Sequence, residues 1–541
     1  MSEALHNPEV LSSPAELSSP KPEDGNSWSL KSYLPAIIPI VGSLLMVLLR
    51  IQMGGDRFID DGALMMIALA CYLTAATFHL TNLYAPSEMA QKIGLWTGCL
   101  GVFFNLSSWC VRWVAGYDRE LQIFLSQGRS AEEMQWAFRF IPFANLYDLS
   151  LAFAFGAGIT TMVISGRKNF RFIGAISLPL AALILVLARF IGNDFINLPP
   201  VLDSYWRPIH VGIASLSYGV ALVCFAAAVI YLLKVGTKPE SMAIWAAIFG
   251  LGVFASISRF SVFTTGIYTA STFLQGSRMA MPLRADIPYV GLLIIASGVL
   301  LLGVIGLFGK YILQQDERAR NLGHWLLKLS LVSQACAIVL LVTQVKSMTN
   351  VASRINPDQF PQFGAWLAEQ QGMTAQQIQA IEPSRFVAAS QEFISERGST
   401  LVLSLNANPV ELSALITAFA ATLFVVFFSF RTEVLRKALP SAEKLDSLMY
   451  KTASVAFAGL AMLLVTGAIW ANESWGRYWG WDSKETGAFV AWLTYGGFLH
   501  SRIARGVTGR RSAYFAVVAF LLVIFTYLGV SYLLPGLHSY A

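Results

Sequence analysis

Six histidines stand in a chain of 541 residues. Laid across a bilayer with the apolar runs around them, four sort by depth. His210 opens one run and His538 follows the last, so both sit just outside the hydrocarbon on one face. His500 lies about 14 residues into a run entered from that face, roughly 21 Å down, and His79 about 17 residues into another, roughly 25 Å down. An outer pair (His210, His538) and an inner pair (His79, His500) result. An imidazole within hydrocarbon is costly and is a functional candidate by default; the alternative is a core histidine bonded to a neighbouring helix. Pairs at matched depths fit axial ligation of porphyrin iron by two neutral imidazoles. Each ligand needs an acceptor for its other ring N–H, which the sequence does not identify. His6, in the polar tail, and His324, between two apolar runs, are assigned no role.

Between His210 and His538 runs Trp475-Gly476-Arg477-Tyr478-Trp479-Gly480-Trp481-Asp482-Ser483-Lys484-Glu485. Large flat side chains at this density suit a large flat ligand at a membrane surface. Trp475 and Trp479 share a face if the segment is helical, and Tyr478 and Trp481 widen the platform. The alternative is an interfacial aromatic belt, which supplies fewer aromatics per helix end. A porphyrin with two carboxylates also calls for cations. Arg477 and Lys484 lie on the same side, and Arg207 lies near His210; each also suits an interfacial anchor. Asp482 with Glu485 three residues on has capping-box spacing, a reading preferred here over catalysis.

The elements that would position these residues are transmembrane helices. The chain is 55% hydrophobic and 13% charged, against about 25% charged in soluble domains, and its mean hydropathy is +0.57. About thirteen apolar runs approach the roughly 20 residues a span requires: 34–50, 62–84, 93–115, 148–165, 172–190, 211–233, 241–258, 288–314, 325–346, 411–430, 449–470, 486–501 and 514–535. The expected fold is therefore an all-α polytopic helix bundle. Basic residues gather in four short connections: Arg167, Lys168 and Arg171; Lys234 and Lys238; Arg431, Arg436, Lys437 and Lys444; and Arg502, Arg505, Arg510 and Arg511. Their bias puts the N-terminus in the cytoplasm and the C-terminus outside. The same bias accounts for the net charge of +6, so nucleic acid is not implied. The five cysteines, Cys71, Cys99, Cys110, Cys224 and Cys336, lie in apolar runs without a C-x-x-C and read as buried small hydrophobes. Residues 1–33 read as a disordered cytoplasmic tail, with no signal-peptide core. In the external stretch 347–410 the Gln- and Glu-rich centre, Trp366 to Ile381, reads as one or two short helices, and the whole as either a cap or docking surface or a packed connector. No internal repeat or low-complexity tract stands out.

The Trp-rich string resembles the WWD signature of haem-handling proteins, and with Leu499-His500 it is similar to the CcsA-type subunit of the system II cytochrome c synthase. Asp203-Ser204-Tyr205-Trp206-Arg207-Pro208-Ile209-His210 resembles the segment bearing that family's first external ligand. Gly536-Leu537-His538 resembles the second, and Asn145-Leu146-Tyr147-Asp148 the SNLYES segment. The likeness covers 93–234 and 445–541. It implies transport of haem b outward across the bacterial inner membrane, with a CcsB-like partner. It also implies presentation of that haem to the C-x-x-C-H of apocytochrome c for thioether attachment, the role of a haem lyase subunit. His210 and His538 would then hold the presented haem against Trp475, Tyr478, Trp479 and Trp481, with Arg207, Arg477, Asp482 and Lys484 around it. His500 would serve transit. The chain departs from the pattern in three ways. It has two added helices at 34–84, an inserted four-helix segment at 241–430, and Phe140 where the family often has histidine. The family's second inner ligand generally comes from the partner, so His79 rests on depth alone. The alternatives are a haem exporter or chaperone of the CcmC or CcmF kind, and a polytopic solute transporter.

Overall fold

The computed structural model describes residues 30–529, except 135, 192–194, 196–199, 257–261, 263–265, 276–280, 404–408 and 430–431. His6 and His538 lie outside the described residues, as does all but the end of the tail 1–33. The chain is helical almost throughout. The first group is α1 (Leu30–Met53), α2 (Asp61–Tyr84), α3 (Glu88–Ser126), α4 (Leu146–Ser165), α5 (Gly174–Ile191) and α6 (Trp206–Lys234). Next come α7 (Pro239–Ser256), α8 (Val290–Gln314), α9 (Glu317–Ser347), the short α10 (Phe360–Gln370), α11 (Ala375–Gln379) and α12 (Pro383–Arg397), and α13 (Pro409–Ser429). The chain then forms α14 (Thr432–Ala438), α15 (Ala442–Trp475), α16 (Ser483–Arg505) and α17 (Arg510–Ile524), with a π-turn from Phe525 to Gly529.

Each of the thirteen apolar runs overlaps one of these helices; the helices overrun the runs by up to about three turns, as α3 does, and residues 257–258, 430 and 530–535 of the runs lie outside the described residues. Among the described residues, ten helices are long and apolar enough to cross a membrane, and eleven if α13 and α14, bent by 84°, form one span. The other two are α7, whose apolar part Pro239–Phe254 is short, and α16, where Trp, Tyr, Gly and His replace aliphatic residues. The all-α polytopic bundle expected from composition is thus the observed fold. It has one addition, a three-stranded antiparallel sheet in the order β2-β1-β3, with β1 Tyr268–Leu274, β2 Arg284–Ile287 and β3 Leu401–Leu403. Tyr268 pairs with Ile287, and Leu274 with Leu401. Along β1, Tyr268, Ala270 and Thr272 are buried in alternation, the period of two that a half-buried strand requires.

Three cores divide the molecule. Helices α1–α6 share one with α15–α17. Helices α7, α8, α9 and α13 enclose a second. The sheet and the helices of 347–410 cover a third, small one around Leu283, Phe363 and Leu401. The described part of 347–410 therefore folds on the sheet as α10, α11 and α12; α10 and α11 meet the centre 366–381, where one or two short helices were expected. In the first core, α4 and α6 cross so closely that a Cβ on Gly156 would lie 2.9 Å from the Ser215 carbonyl oxygen, and one on Gly219 would strike the Gly156 backbone. Small residues at the crossing allow this contact, which matters because lipid gives helices no hydrophobic reason to associate.

Charges inside the first core are paired. Arg112 on α3 is 1% exposed. Its Nε bonds the Asp148 carboxylate on α4, and its guanidinium lies 3.4 Å from the Asp61 carboxylate on α2. Tyr147 Oη donates to Asp61 at 2.9 Å, and Asp148 accepts from the Ala144 N–H at 2.9 Å. One cluster thus ties three helices to the backbone of 144–148. At another end three of the basic connections meet. Lys234 Nζ donates to the Arg436 and Leu439 carbonyls, each at 2.8 Å, Arg436 Nε donates to the Leu233 carbonyl at 2.9 Å, and Arg510 bonds the Val235 carbonyl. Removing one partner of a buried ion pair strands the other's charge, at a cost of about 3–5 kcal/mol. Arg112→Met is therefore expected to lower the thermal midpoint of the purified protein in detergent sharply, and an unchanged midpoint would contradict this role for the cluster.

Candidate functional site

His210 lies in the first turns of α6, facing α15 across the helix crossing. Its Nδ1 is 3.1 Å from the Leu463 carbonyl oxygen and 3.4 Å from Thr466 Oγ1. A backbone carbonyl only accepts, so Nδ1 carries the proton and the lone pair resides on Nε2, the tautomer a metal ligand needs. The ring fits against α15 because residue 467 is glycine: a Cβ there would lie 2.7 Å from His210 Cε1. One turn on, the Trp470 ring packs at 5.7 Å from the imidazole. Leu463, Thr466, Gly467 and Trp470 form one stripe of α15, the spacing that brings residues to one helix face.

His210 opens into a cavity with about 1240 Å³ of empty space, its open mouth included. Arg207, Trp475, Tyr478, Trp479 and Lys484 line it with His210, so half of the twelve residues singled out by sequence converge on one wall system. Phe143, Asn145 and Leu146 supply another side, and Tyr218 and Tyr527 line it as well. Ser150 Oγ and Tyr527 Oη lie 2.6 Å apart. The turn before α6 and the last turn of α15 are joined, since Ser204 Oγ donates to Glu473 Oε2 at 2.8 Å. Arg207 Nη2 donates to the Arg139 carbonyl at 2.7 Å, which holds that cation at the rim. Lys484 lies in the first turn of α16, ahead of the apolar run. Burial pulls its ammonium down to about 8, against the opposing pull of the Asp482 carboxylate.

The turn before α16 is clamped by its own carboxylates. Asp482 is the N-cap, accepting from the Lys484 N–H at 3.2 Å, and Glu485 completes the capping box. One Glu485 oxygen accepts from both the Gly480 N–H at 2.8 Å and the Asp482 N–H at 3.2 Å. Between those two donors Trp481 takes φ +57°, a conformation bulky residues avoid and one that persists only where surroundings hold it. Trp481 is 70% exposed, and its ring meets Trp479 edge-on at 5.7 Å. The aromatic surface continues along α16 through Phe489, stacked on Trp492 at 5.9 Å, which stacks on Phe457 at 5.3 Å.

The remaining sequence candidates sit elsewhere. Arg477 is exposed, packs against Gly480 and does not line the cavity; Trp481 and Asp482 do not line it either. His79 is 1% exposed on α2, wedged where a Cβ on Gly94 or Gly174 would touch its ring, and its Nε2 has no hydrogen-bond partner. His500 is exposed on α16, which packs on α15 and α17, whereas α2 packs on α3 and α5. The fold thus does not set His79 and His500 face to face as a matched pair. His324 bonds the buried Glu240 carboxylate at 3.1 Å and has a structural place. Trp470, Thr466 and the Leu463 carbonyl were not anticipated; the only sequence signal was their helical spacing ahead of the Trp-rich string.

A polytopic helix bundle with an imidazole at an aromatic-walled cavity is the class these observations define. The profile of the family described as "Cytochrome C assembly protein" matches residues 143–274 and 386–538, more than half of the chain, so the chain belongs to that family. The unmatched residues 275–385 lie inside the four-helix segment 241–430. The cytochrome c biogenesis protein CcsA of Prochlorococcus marinus (strain MIT 9515) is 55% identical over 98 residues, 18% of this chain and 31% of that protein. The protein of the same name from Parasynechococcus marenigrum (strain WH8102) is 51% identical over 102 residues, 19% of this chain and 33% of that one. The matched stretch thus spans about a third of these relatives' length.

The clamp gives a test. Asp482→Ala removes a helix cap, expected to cost about 1 kcal/mol. Gly467→Ala instead presses on the His210 ring. Both variants should fold, with circular dichroism close to wild type. Only Gly467→Ala should shift the His210 imidazole signals in nitrogen NMR of histidine-labelled protein.

Proposed function

We propose that the cavity presents haem b for covalent attachment to apocytochrome c. The observation that carries this reading is His210 itself, its Nδ1 held by the Leu463 carbonyl and its ring facing an aromatic-walled cavity. Haem is the cargo. Its iron takes His210 Nε2 on one side, with His538 as the second ligand, and its faces and edge pack on Trp475, Tyr478 and Trp479. Trp481 borders the platform through Trp479. Arg207 and Lys484 supply positive charge for its carboxylates; Arg477 stays outside this set.

Attachment adds each Cys S–H of a C-x-x-C-H segment across a haem vinyl group, forming a C–S bond with no leaving group. The protein's task is therefore orientation, which the clamped Trp-rich turn and the fixed imidazole provide. The C-terminus and the cavity face outward from the bacterial inner membrane, and the basic connections face the cytoplasm. His500, exposed on α16, ligates haem in transit, with its second ligand from a CcsB-like partner. His79 is a packing residue.

The purified protein should show a bis-imidazole haem spectrum. His210→Ala should lose or alter it, with partial return on adding free imidazole to His210→Gly. His500→Ala should also reduce bound haem when the partner is co-expressed. His324→Ala should retain it. Wild-type haem content and spectrum in both His210→Ala and His500→Ala would sink the proposal.

A further inference from the structure

Most polar groups on the cavity wall are already engaged. Arg207 bonds the Arg139 carbonyl, Glu485 accepts from two backbone N–H groups, the Asn145 side chain caps α4, and Thr526 Oγ1 donates to the Leu522 carbonyl. Besides the Tyr218 and Tyr478 hydroxyls, three lining groups that can only donate are different. Trp470 is 6% exposed, and among the described residues its indole N–H has no acceptor. The buried Trp479 N–H likewise has no acceptor among the described residues. Lys484 Nζ makes no ion pair or hydrogen bond among the described residues. All three are donors, and indole has no acceptor function at all.

A buried donor left unbonded costs free energy, so native proteins rarely keep one without a reason. Two indole donors and an ammonium among the lining residues, with the one lining carboxylate consumed by the backbone and only tyrosine hydroxyls left to accept, describe a lining richer in donors than in anionic acceptors. The ligand that suits it is anionic and carries oxygen acceptors. An ordinary packing role for Trp470 would be met by phenylalanine, which fills a similar flat volume and leaves no orphan N–H.

We infer that Trp470, with Trp479 and Lys484, is a carboxylate-recognition subsite, the indole N–H groups donating to the carboxylates of the bound porphyrin. This rests on the haem reading of the cavity and adds how the ligand is held by its rim. Trp470 then has two contacts, its ring on the His210 imidazole and its N–H on the ligand, so it couples metal ligation to recognition of the acidic edge. Sorting porphyrins by their acidic edge is a task that aromatic walls alone cannot perform.

The test uses full-length protein in detergent, stripped of haem, and titrated with haem and with haem dimethyl ester, whose carboxylates are masked. Wild type should bind haem about tenfold or more tightly than the ester. Trp470→Phe, which keeps the ring and removes the N–H, should weaken haem binding about tenfold and leave ester binding unchanged. Trp479→Phe should act in the same sense. Equal loss for both ligands in Trp470→Phe, or no loss for either, overturns the subsite. Wild type that binds haem and ester equally also overturns it while leaving the haem reading intact. Wild type that binds neither sinks the haem reading itself.

Discussion

The hydrogen bond between His210 Nδ1 and the Leu463 carbonyl governs the site. It fixes the tautomer, sets the ring plane, and fastens α6 to α15 where the cavity opens. It exists because α15 has glycine at 467, which lets the imidazole lie on the helix surface. A side chain could have served as acceptor, but a helix carbonyl is positioned by its whole helix and has no rotamers. The imidazole is therefore as rigid as the bundle that bears it.

Around that contact the bundle solves an electrostatic problem. A membrane interior tolerates charge poorly, yet the wall residues Asn145 and Leu146 stand just ahead of Asp148, which meets the buried Arg112. Arg112 answers Asp148 and Asp61 together, and Tyr147 completes the set with its hydroxyl. The ion cluster and the wall residues Asn145 and Leu146 share the same few residues of chain. Stability of the helices and shape of the cavity are thus set by one group of contacts. The Trp-rich turn is held in a comparable way, by Glu485 acting on two backbone donors.

Much of this could be read in the sequence, and the reasons differ by element. Helices were visible because an apolar run of span length has few other fates. His210, Trp475, Trp479 and Lys484 stood out because aromatic and polar side chains are conspicuous in an apolar chain. Trp470 did not stand out, since one Trp near a helix end is ordinary, and the acceptor for His210 is a backbone atom with no residue type to betray it. The inner pairing of His79 and His500 rested on height alone, and the helices that bear them pack on different neighbours. Distance along a helix gives height in the bilayer, and says nothing about which way round the bundle a residue faces. The sheet went unseen because β1 is short, half polar, and paired to strands 10 and more than 120 residues away in the chain.

The long chain between α6 and α15 has a consequence for biogenesis. His210 and its acceptor are separated by 253 positions, and the chain between them builds a helix bundle and a small sheet of its own. A ribosome delivers the imidazole long before the carbonyl that orients it. Until α15 enters the bilayer beside α6, the nascent protein has a membrane-embedded half without a working mouth. On the proposed haem-presenting reading, loading would then follow synthesis, and a half-made chain would not capture a reactive pigment.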